Sequence, residues 1–338
     1  MLQHGSARIA LRCDAGSTLG VGHLMRSVAL GEELTARGHE VLVWGDLGGI
    51  DWLQTLADDH GFQVLPAPAD PQQCARRAAE LKLDAVVIDG YHLDPELGSA
   101  LTADSRRILA IVDYDFGVQQ RADVYVDQNL GASRHPSMPA GSVALAGIGY
   151  ALFRDTVLRR RRRRALKHDG PPRVVAVFGG TDPFGAAPVV LPALLATGAP
   201  LQVTVVTNRP ESLQGMHADT RSGQQIRVIA PQPDFGAIVA EADLVLSASG
   251  SSVWELLCMG IPTAVLCVVD NQEAGYRQSL ENGVVAGLGH LARFDAASAT
   301  ATLTALLDDS STRVGYADRG QDLVDGRGRS RVADALLP

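Results

Sequence analysis

Residues 84–89 read Asp-Ala-Val-Val-Ile-Asp, a continuous apolar run that ends in an acid. A run of this kind is typical of a strand that is buried on both faces of a parallel sheet. Comparable runs occur in the first half of the chain at 9–11, 41–44, 108–112 and 124–126, and helical apolar patterns separate them. This alternation predicts an α/β unit in which helices cover a parallel sheet on both sides.

The segment 154–172 interrupts the alternation. It contains six consecutive arginines at 159–164, followed by Asp169-Gly170-Pro171-Pro172. We interpret it as a linker with solvated basic side chains, because no aromatic residues are interleaved as they are on surfaces that bind nucleic acid. This linker separates an N-terminal domain, 1–153, from a C-terminal domain, 173–338.

The alternation of strands and helices resumes in the C-terminal domain. Strand-like apolar runs lie at 174–178, 201–206, 226–229, 244–246 and 263–268. The predicted fold class is therefore α/β, with two Rossmann-like doubly wound domains. Ligands bind beyond the carboxyl ends of the strands in such sheets, so two domains that face each other would hold one ligand in a central cleft.

Composition narrows the classes of protein that fit. The chain has 338 residues, of which 46% are hydrophobic and 20% charged, and its net charge of -8 counts against a nucleic-acid partner. Its four cysteines form no CxxC pair and fit buried thiols in a reducing cytosol. No signal-like segment is present, and the longest apolar run, 261–269, is far shorter than a membrane span of about 20 residues. We expect a cytoplasmic protein with no membrane partner.

The turn after the first strand contains the candidate catalytic residues and reads Asp-Ala-Gly-Ser-Thr-Leu-Gly-Val-Gly-His-Leu-Met-Arg from Asp14 to Arg26. Gly20 and Gly22 let the backbone approach a ligand closely, and we expect them beside the sugar. His23 shares a helix face with Arg26, so the histidine suits a general base and the arginine suits an anionic group. A capping or packing role for His23 fits the spacing equally well. The third glycine of a dinucleotide fingerprint is missing, which argues against NAD.

Two turns in the C-terminal domain are typical of phosphate sites. The first contains Gly179, Gly180 and Thr181, whose backbone amides would form a nest for a pyrophosphate; a plain strand-to-helix turn is the alternative. The second, Ser249-Gly250-Ser251-Ser252, precedes a helix, where amides and hydroxyls suit phosphate oxygens. Glu255 lies one turn inside that helix and would accept hydrogen bonds from ribose hydroxyls, act as the capping-box partner of Ser252, or do both.

Polar residues also follow two other apolar runs. Asp270-Asn271-Gln272 would read sugar hydroxyls, and a helix N-cap at Asp270 or Asn271 is the alternative. Asp113-Tyr114-Asp115 has the form of a metal-binding DxD motif, but no histidine or carboxylate partner is evident in the sequence. We interpret it as a turn and predict no metal.

Taken together, these elements resemble a known family. Five motifs occur in the order seen in the UDP-sugar hydrolase of pseudaminic acid biosynthesis and the related spore-coat polysaccharide proteins: Gly-x-Gly-His-x-x-Arg at 20–26, Val126-Asp127-Gln128-Asn129, Phe178-Gly179-Gly180-Thr181-Asp182, Trp254-Glu255 and Asp270-Asn271-Gln272. The chain is more distantly similar to the N-acetylglucosaminyl transferase of peptidoglycan synthesis. The resemblance covers residues from about 8 to 278.

The resemblance implies a GT-B fold in which the C-terminal domain holds most of the UDP. It implies that His23 activates a water molecule that attacks the anomeric carbon and releases UDP. Carried over by motif, Glu255 would contact the ribose, and the diphosphate would be bound by Gly179, Gly180, Thr181, Ser251 and Ser252. We also expect Asn129, Asn271 and Gln272 to bind the sugar. The sugar-facing loops of the first domain do not match, and the six-arginine linker is unusual for the family.

We therefore predict an enzyme that cleaves the anomeric C–O bond of a UDP-sugar without a metal or a cofactor, with Asp14, His23 and Arg26 as its catalytic residues. Hydrolysis is the main interpretation. The alternative is a glycosyltransferase that moves the sugar to a small soluble acceptor, for example a nucleobase in antibiotic biosynthesis. A third interpretation, a non-catalytic protein that binds nucleotide-sugars, is disfavoured by His23 together with two phosphate-type turns.

Overall fold

A computed structural model describes residues 5–16, 19–102, 106–161, 170–179, 182–216, 220–232 and 234–337. The chain divides into two compact units, one formed by Met1–Asp155 with Gly326–Pro338 and the other by Thr156–Asp325. Each unit is built on its own parallel sheet, with α-helices between most pairs of successive strands. The prediction of two Rossmann-like α/β domains is confirmed.

The strands of the first unit are β1 (Arg8–Cys13), β2 (Glu40–Trp44), β3 (Gln63–Leu65), β4 (Ala85–Asp89), β5 (Arg107–Val112), β6 (Val124–Asp127) and β7 (Val143–Ala146). They pair in parallel in the order β3-β2-β1-β4-β5-β6-β7. The helices before the unit boundary are α1 (Gly22–Ala36), α2 (Asp51–Asp59), α3 (Pro71–Glu80) and α4 (Leu97–Leu101), and α5 (Asp155–Leu158) lies at the boundary.

Alternate side chains of the central strands enter two different cores. Ile9 and Leu11 of β1 pack with Leu24 of α1 on one face of the sheet, whereas Ala10 packs with Ile88 on the other face. Burial on both faces explains why these strands are apolar without interruption. The strand order reverses between β1 and β4, so the loops after these two strands diverge and leave a crevice at their carboxyl ends.

The second unit repeats this plan. Its strands are β8 (Arg173–Val177), β9 (Leu201–Val206), β10 (Gln224–Ile229), β11 (Leu244–Ala248), β12 (Thr263–Cys267) and β13 (Ala286–His290), in the order β10-β9-β8-β11-β12-β13. Its helices are α6 (Ala187–Ala196), α7 (Phe235–Val239), α8 (Ser252–Met259), α9 (Glu273–Glu281), α10 (Ala296–Asp308) and α11 (Ser310–Leu323). The order reverses between β8 and β11, so the crevice of this sheet lies beside the two glycine- and serine-containing turns.

The last helix, α12 (Gly328–Leu336), belongs to the first unit, although the sequence places 173–338 in the C-terminal domain. Val332 and Leu336 are fully buried in the core around α1, and Arg329 donates to Glu32 at 2.9 Å. Gly328 packs so closely on the first unit that a Cβ there would lie 2.1 Å from the Ala151 carbonyl oxygen. The helix has an ordinary amphipathic pattern, which does not reveal the core into which it packs.

The arginine run also differs from the expected solvated linker at Arg160 and Arg161, whereas Arg159 is exposed. Arg160 donates to Asp234 at 2.7 Å, and Arg161 donates to the carbonyl oxygens of Gln321, at 2.8 Å, and Val324. These contacts attach the first residues of the second unit to later segments of the same unit. The arginines at 162–164 lie outside the described residues. Among the helices that the structure describes, none combines the length and apolar character needed to cross a membrane.

Candidate active site

A histidine–aspartate pair lies at the carboxyl ends of β1 and β4 in the first unit. His23 Nδ1 is 2.7 Å from Asp89 Oδ1, and Asp89 is fully buried at the end of β4. Burial alone would raise the pKa of Asp89, but the charges of Arg26 and His23 outweigh it and lower the pKa to about 2. Asp89 is therefore an anion at neutral pH.

The anion determines which nitrogen of His23 carries the proton. Arg26 Nη2 lies 3.1 Å from Nδ1, farther than the carboxylate oxygen, so we assign the proton to Nδ1, where it is donated to Asp89. Nε2 then keeps its lone pair, and no hydrogen bond to it occurs among the described residues. A neutral imidazole with a free nitrogen and an oriented second nitrogen is suited to general-base catalysis.

Arg26 contacts two carboxylates of the protein itself. Its Nε and Nη2 donate to Asp89 at 2.6 Å each, and its Nη1 donates to Asp113 at 2.9 Å. The sequence prediction gave this guanidinium an anionic ligand group. In the structure it binds the buried carboxylate of Asp89 and the partly buried carboxylate of Asp113, and its contact with a ligand stays a prediction.

Asp14, the third predicted catalytic residue, hydrogen-bonds to groups other than His23. Its oxygens accept from Arg12 at 2.8 Å, from His92 at 2.7 Å and from the Asp46 amide at 2.8 Å, and its catalytic role stays a prediction. Burial acts to raise the pKa of Asp14, but these donors together lower it. Asp14 thus orders the neighbouring loops and His92, and the carboxylate that orients His23 is Asp89.

Tyr91 and Asp113 complete the surroundings of His23, and sequence reasoning missed both of these roles. The Tyr91 ring meets the His23 ring edge-on, with centroids 4.8 Å apart, and its hydroxyl donates to Asp113 in a short hydrogen bond. Asn129, expected to contact the sugar, donates from Nδ2 to Asp113 at 2.9 Å and to Asp127 at 2.8 Å. The sequence did contain one indication of these roles: Asp89 and Asp113 lie at the carboxyl ends of two strands of one parallel sheet, β4 and β5.

The glycines of the first turn have the backbone geometry that close approach requires. Gly20 has a φ of 77° and exchanges two backbone hydrogen bonds with Gly16, at 2.8 and 3.1 Å, whereas Gly22 is the first residue of α1. The first turn of α1 has no side-chain cap. Contact of these glycines with a sugar stays a prediction.

The first phosphate-type turn of the second unit is described in part. Gly179 has a φ of 72°, and Gly180 and Thr181 lie outside the described residues. Asp182 has a φ of 51° and accepts from the amides of Ala186 and Ala187 at 2.7 and 2.9 Å, so its side chain caps the start of α6.

The second phosphate-type turn meets the Asp270-Asn271-Gln272 motif. Ser249 and Gly250 follow β11, and Ser251 is the N-cap of α8 but makes no side-chain capping bond. In the first turn of α8 the Val253 and Trp254 amides donate to the carbonyl oxygens of Gly250 and Ser251, at 3.0 and 3.1 Å. The helix N-terminus presents its positive dipole end at this turn, which suits an anion. Gln272 approaches this turn, since a Cβ on Gly250 would lie 3.6 Å from its Nε2. Asn271 lies beside it in the 3₁₀ turn, and Glu255 lies in the first turn of α8.

A further polar cluster lies next to this motif. Cys267, Glu273 and His290 bring their ligand-type atoms within 4.8 Å of one another, the single such cluster among the described residues. His290 Nε2 is 2.5 Å from Glu273 Oε2, and Arg293 Nη2 is 3.3 Å from His290 Nδ1. Internal hydrogen bonds account for the cluster, and the nearby guanidinium would repel a cation. The absence of a metal stays a prediction.

Comparison with known proteins yields distant relatives. No protein-family model matches the chain. The spore coat polysaccharide biosynthesis protein SpsG of Bacillus subtilis is 23% identical over 337 residues, which cover 97% of each chain. The protein MJ1062 of Methanocaldococcus jannaschii is 19% identical over 81% of this chain, a match that spans 58% of its own length. A UDP-N-acetylglucosamine–N-acetylmuramyl-(pentapeptide) pyrophosphoryl-undecaprenol N-acetylglucosamine transferase of Deinococcus deserti is 27% identical over 48% of this chain and 47% of its own.

Solved structures share the architecture across the whole chain. MurG of Acinetobacter baumannii superposes with a TM-score of 0.73 at 17% identity, covering 98% of this chain and 99% of its own. The glycotransferase of kitacinnamycin superposes with a TM-score of 0.69 at 14% identity, covering 98% and 99%. The chain therefore has the two-domain, Rossmann-like fold of the GT-B glycosyltransferases.

Proposed function

We propose that this protein is a glycosyltransferase that moves a sugar from UDP to a small soluble acceptor, with His23 as the general base. The observation that carries the proposal is the pairing of His23 Nδ1 with the buried anion Asp89, which leaves Nε2 free to accept a proton. The transferases among its relatives and structural neighbours favour transfer over the hydrolysis that the sequence resemblance implies.

The proposed reaction is a single displacement. An O–H or N–H group of the acceptor gives its proton to His23 Nε2, and the freed electron pair forms a bond to the anomeric carbon. The bond from that carbon to the β-phosphate oxygen breaks, and its electrons leave with UDP. Asp89 stabilises the imidazolium that forms, as a carboxylate does in other histidine-dependent sites.

The nucleotide would bind to the second unit. UDP gains negative charge as it leaves, and amide groups fixed at the turn before α8 would stabilise that charge without reorganising. Gln272, which approaches Gly250, would bring the sugar-reading motif to the same turn. Glu255 in the first turn of α8 would accept from the ribose. No cofactor is required by this chemistry.

The proposal is tested by supplying a panel of UDP-sugars with and without candidate acceptors. The products are identified by mass spectrometry while UDP release is followed in parallel. Transfer predicts a product whose mass equals acceptor plus sugar, formed at the rate at which UDP appears. Release of UDP and free sugar at equal rates with and without every acceptor would contradict transfer and would support hydrolysis.

A further inference from the structure

Two exposed aromatic rings extend from the candidate base. Phe116 is 46% exposed and Tyr91 is 39% exposed, whereas the other phenylalanines of the first unit, Phe62 and Phe153, are each 3% exposed or less. The ring centroids of Phe116 and Tyr91 are 5.3 Å apart, and Tyr91 in turn lies edge-on to His23. We call the rings of Tyr91 and Phe116 the aromatic ledge. It begins at the imidazole and ends in solvent.

A tight turn holds Phe116 in this position. Asp113 and Phe116 exchange backbone hydrogen bonds at 3.0 and 2.9 Å, and Tyr114 between them has a φ of 52°. Bulky residues rarely adopt this conformation, which persists where surrounding contacts enforce it and is concentrated at functional sites. The enforcing contacts are those of Tyr114, whose amide donates to Asp127 at 2.8 Å and whose hydroxyl donates to the Leu130 carbonyl at 2.9 Å.

The hydroxyl end of Tyr91 is also held in place by the protein. Its hydroxyl donates to Asp113, which also accepts from Arg26 and Asn129. Tyr91 therefore presents its ring, while its hydroxyl is engaged by the protein. Exposure of these two apolar rings to water is unfavourable in free energy. A ligand with an apolar surface would cover the rings and remove this unfavourable exposure.

We propose that the aromatic ledge binds a flat aromatic or heteroaromatic ring of the acceptor, and that this ring carries the N–H or O–H group that His23 deprotonates. The inference rests on the proposed function. A group that gives its proton to Nε2 must come within about 3 Å of it, and Tyr91 of the ledge lies edge-on to the same imidazole ring, with centroids 4.8 Å apart. Planar rings stack on aromatic side chains through their faces and leave their edge groups free to react.

The test separates ring stacking from apolar contact in general. Phe116→Leu keeps an apolar side chain but removes the flat face, and Phe116→Trp restores a flat face. Val143→Ala is the matched control, because Val143 is an exposed apolar residue of β7 in the same unit, at 41% exposure. Cytosine, uracil, adenine and 2-naphthol are the planar probes, and glycerol and inositol are the non-planar ones. Thermal unfolding of each variant verifies that it is folded.

Binding is measured first without donor, by saturation-transfer NMR titration of each probe. We expect at least one planar probe to bind, Phe116→Leu to weaken that binding about tenfold, and Phe116→Trp to restore it. In steady-state assays with the same probe, the acceptor KM should rise in Phe116→Leu while the KM for the UDP-sugar stays unchanged. Val143→Ala should behave as the wild type in both measurements.

Two results would overturn the inference. One is the absence of binding by any planar probe, and the other is a rise in the KM for the UDP-sugar with none for the acceptor, which would assign the ledge to the donor sugar. The proposed function fails separately. Planar-probe binding that Phe116→Leu weakens, combined with formation of free sugar alone, would support ring binding by the ledge but contradict both transfer and the ring as the group that His23 deprotonates. Transfer to glycerol without binding of any planar probe would support transfer and contradict the ledge.

Discussion

At the scale of single residues, the charge of Asp89 governs the chemistry available to His23. The carboxylate is fully buried, yet Arg26 binds it through two nitrogens and keeps it ionised. A neutral acid at this position would not select the tautomer with a free Nε2. The energetic coupling of these three side chains should therefore be visible in both stability and rate.

Acid titration of stability tests this coupling through Asp89→Asn. The pKa of Asp89 is about 2, below the ordinary value near 3.9 of an unfolded chain, so the unfolded state binds the proton first as the pH falls. The stabilisation is complete above about pH 4 and is lost toward pH 2, and it amounts to roughly 2 kcal/mol. Urea unfolding between about pH 5 and pH 2 should show a smaller pH dependence in Asp89→Asn than in the wild type; identical slopes would contradict the assignment.

The limits of sequence reasoning are also clearest for these residues. The turn from Asp14 to Arg26 indicated His23 as a base, because glycines and a strand end surround it. The partner carboxylate was not indicated, since Asp89 lies 66 residues away and only the strand order brings β4 beside β1. The ledge residue Phe116 was missed for a similar reason, because its exposure depends on a turn closed by distant hydrogen bonds.

At the scale of elements, burial determines which strands the sequence reveals. The central strands of both sheets were predicted from apolar runs, since both of their faces are covered by helices. The strands β3, β7 and β13 were missed; they lie at sheet edges, and β13 reads Ala-Gly-Leu-Gly-His. Helix α12 was assigned to the wrong unit because an amphipathic pattern specifies a buried face without specifying its partner.

The turn before α8 carries the prediction for nucleotide binding. Ser251 is the exposed N-cap of α8 and makes no side-chain capping bond. Ser251→Asp should stabilise the helix by up to about 1 kcal/mol through capping and the helix dipole, but should weaken UDP binding at least about tenfold through repulsion of the diphosphate. Ser251→Asn is the control, because it caps without adding charge and should retain UDP affinity.

Thermal unfolding and calorimetric titration with UDP measure the two effects independently. A stabilised Ser251→Asp variant that binds UDP as tightly as Ser251→Asn would show that the diphosphate lies elsewhere. Loss of UDP binding in both variants would instead indicate that the serine hydroxyl itself is required.

At the scale of the whole molecule, we propose that the first unit carries out proton transfer and that the second binds the nucleotide. If fixed amide groups stabilise the departing UDP, no divalent cation is needed for that purpose. We expect kcat to stay within about twofold of its original value after exhaustive treatment with EDTA. Loss of activity in EDTA that magnesium or manganese restores would show that a divalent cation helps to stabilise the negative charge of the departing UDP.

The central claim is that His23 acts as the base while the other unit binds the nucleotide, and the kinetics and UDP affinity of His23→Asn test it most directly. General-base catalysis contributes about 10²–10⁴-fold, so kcat should fall at least about a hundredfold while the Kd for UDP stays within about twofold. Circular dichroism and the unfolding midpoint establish that the variant is folded. A folded His23→Asn enzyme that retains more than about a tenth of the wild-type kcat would contradict the account.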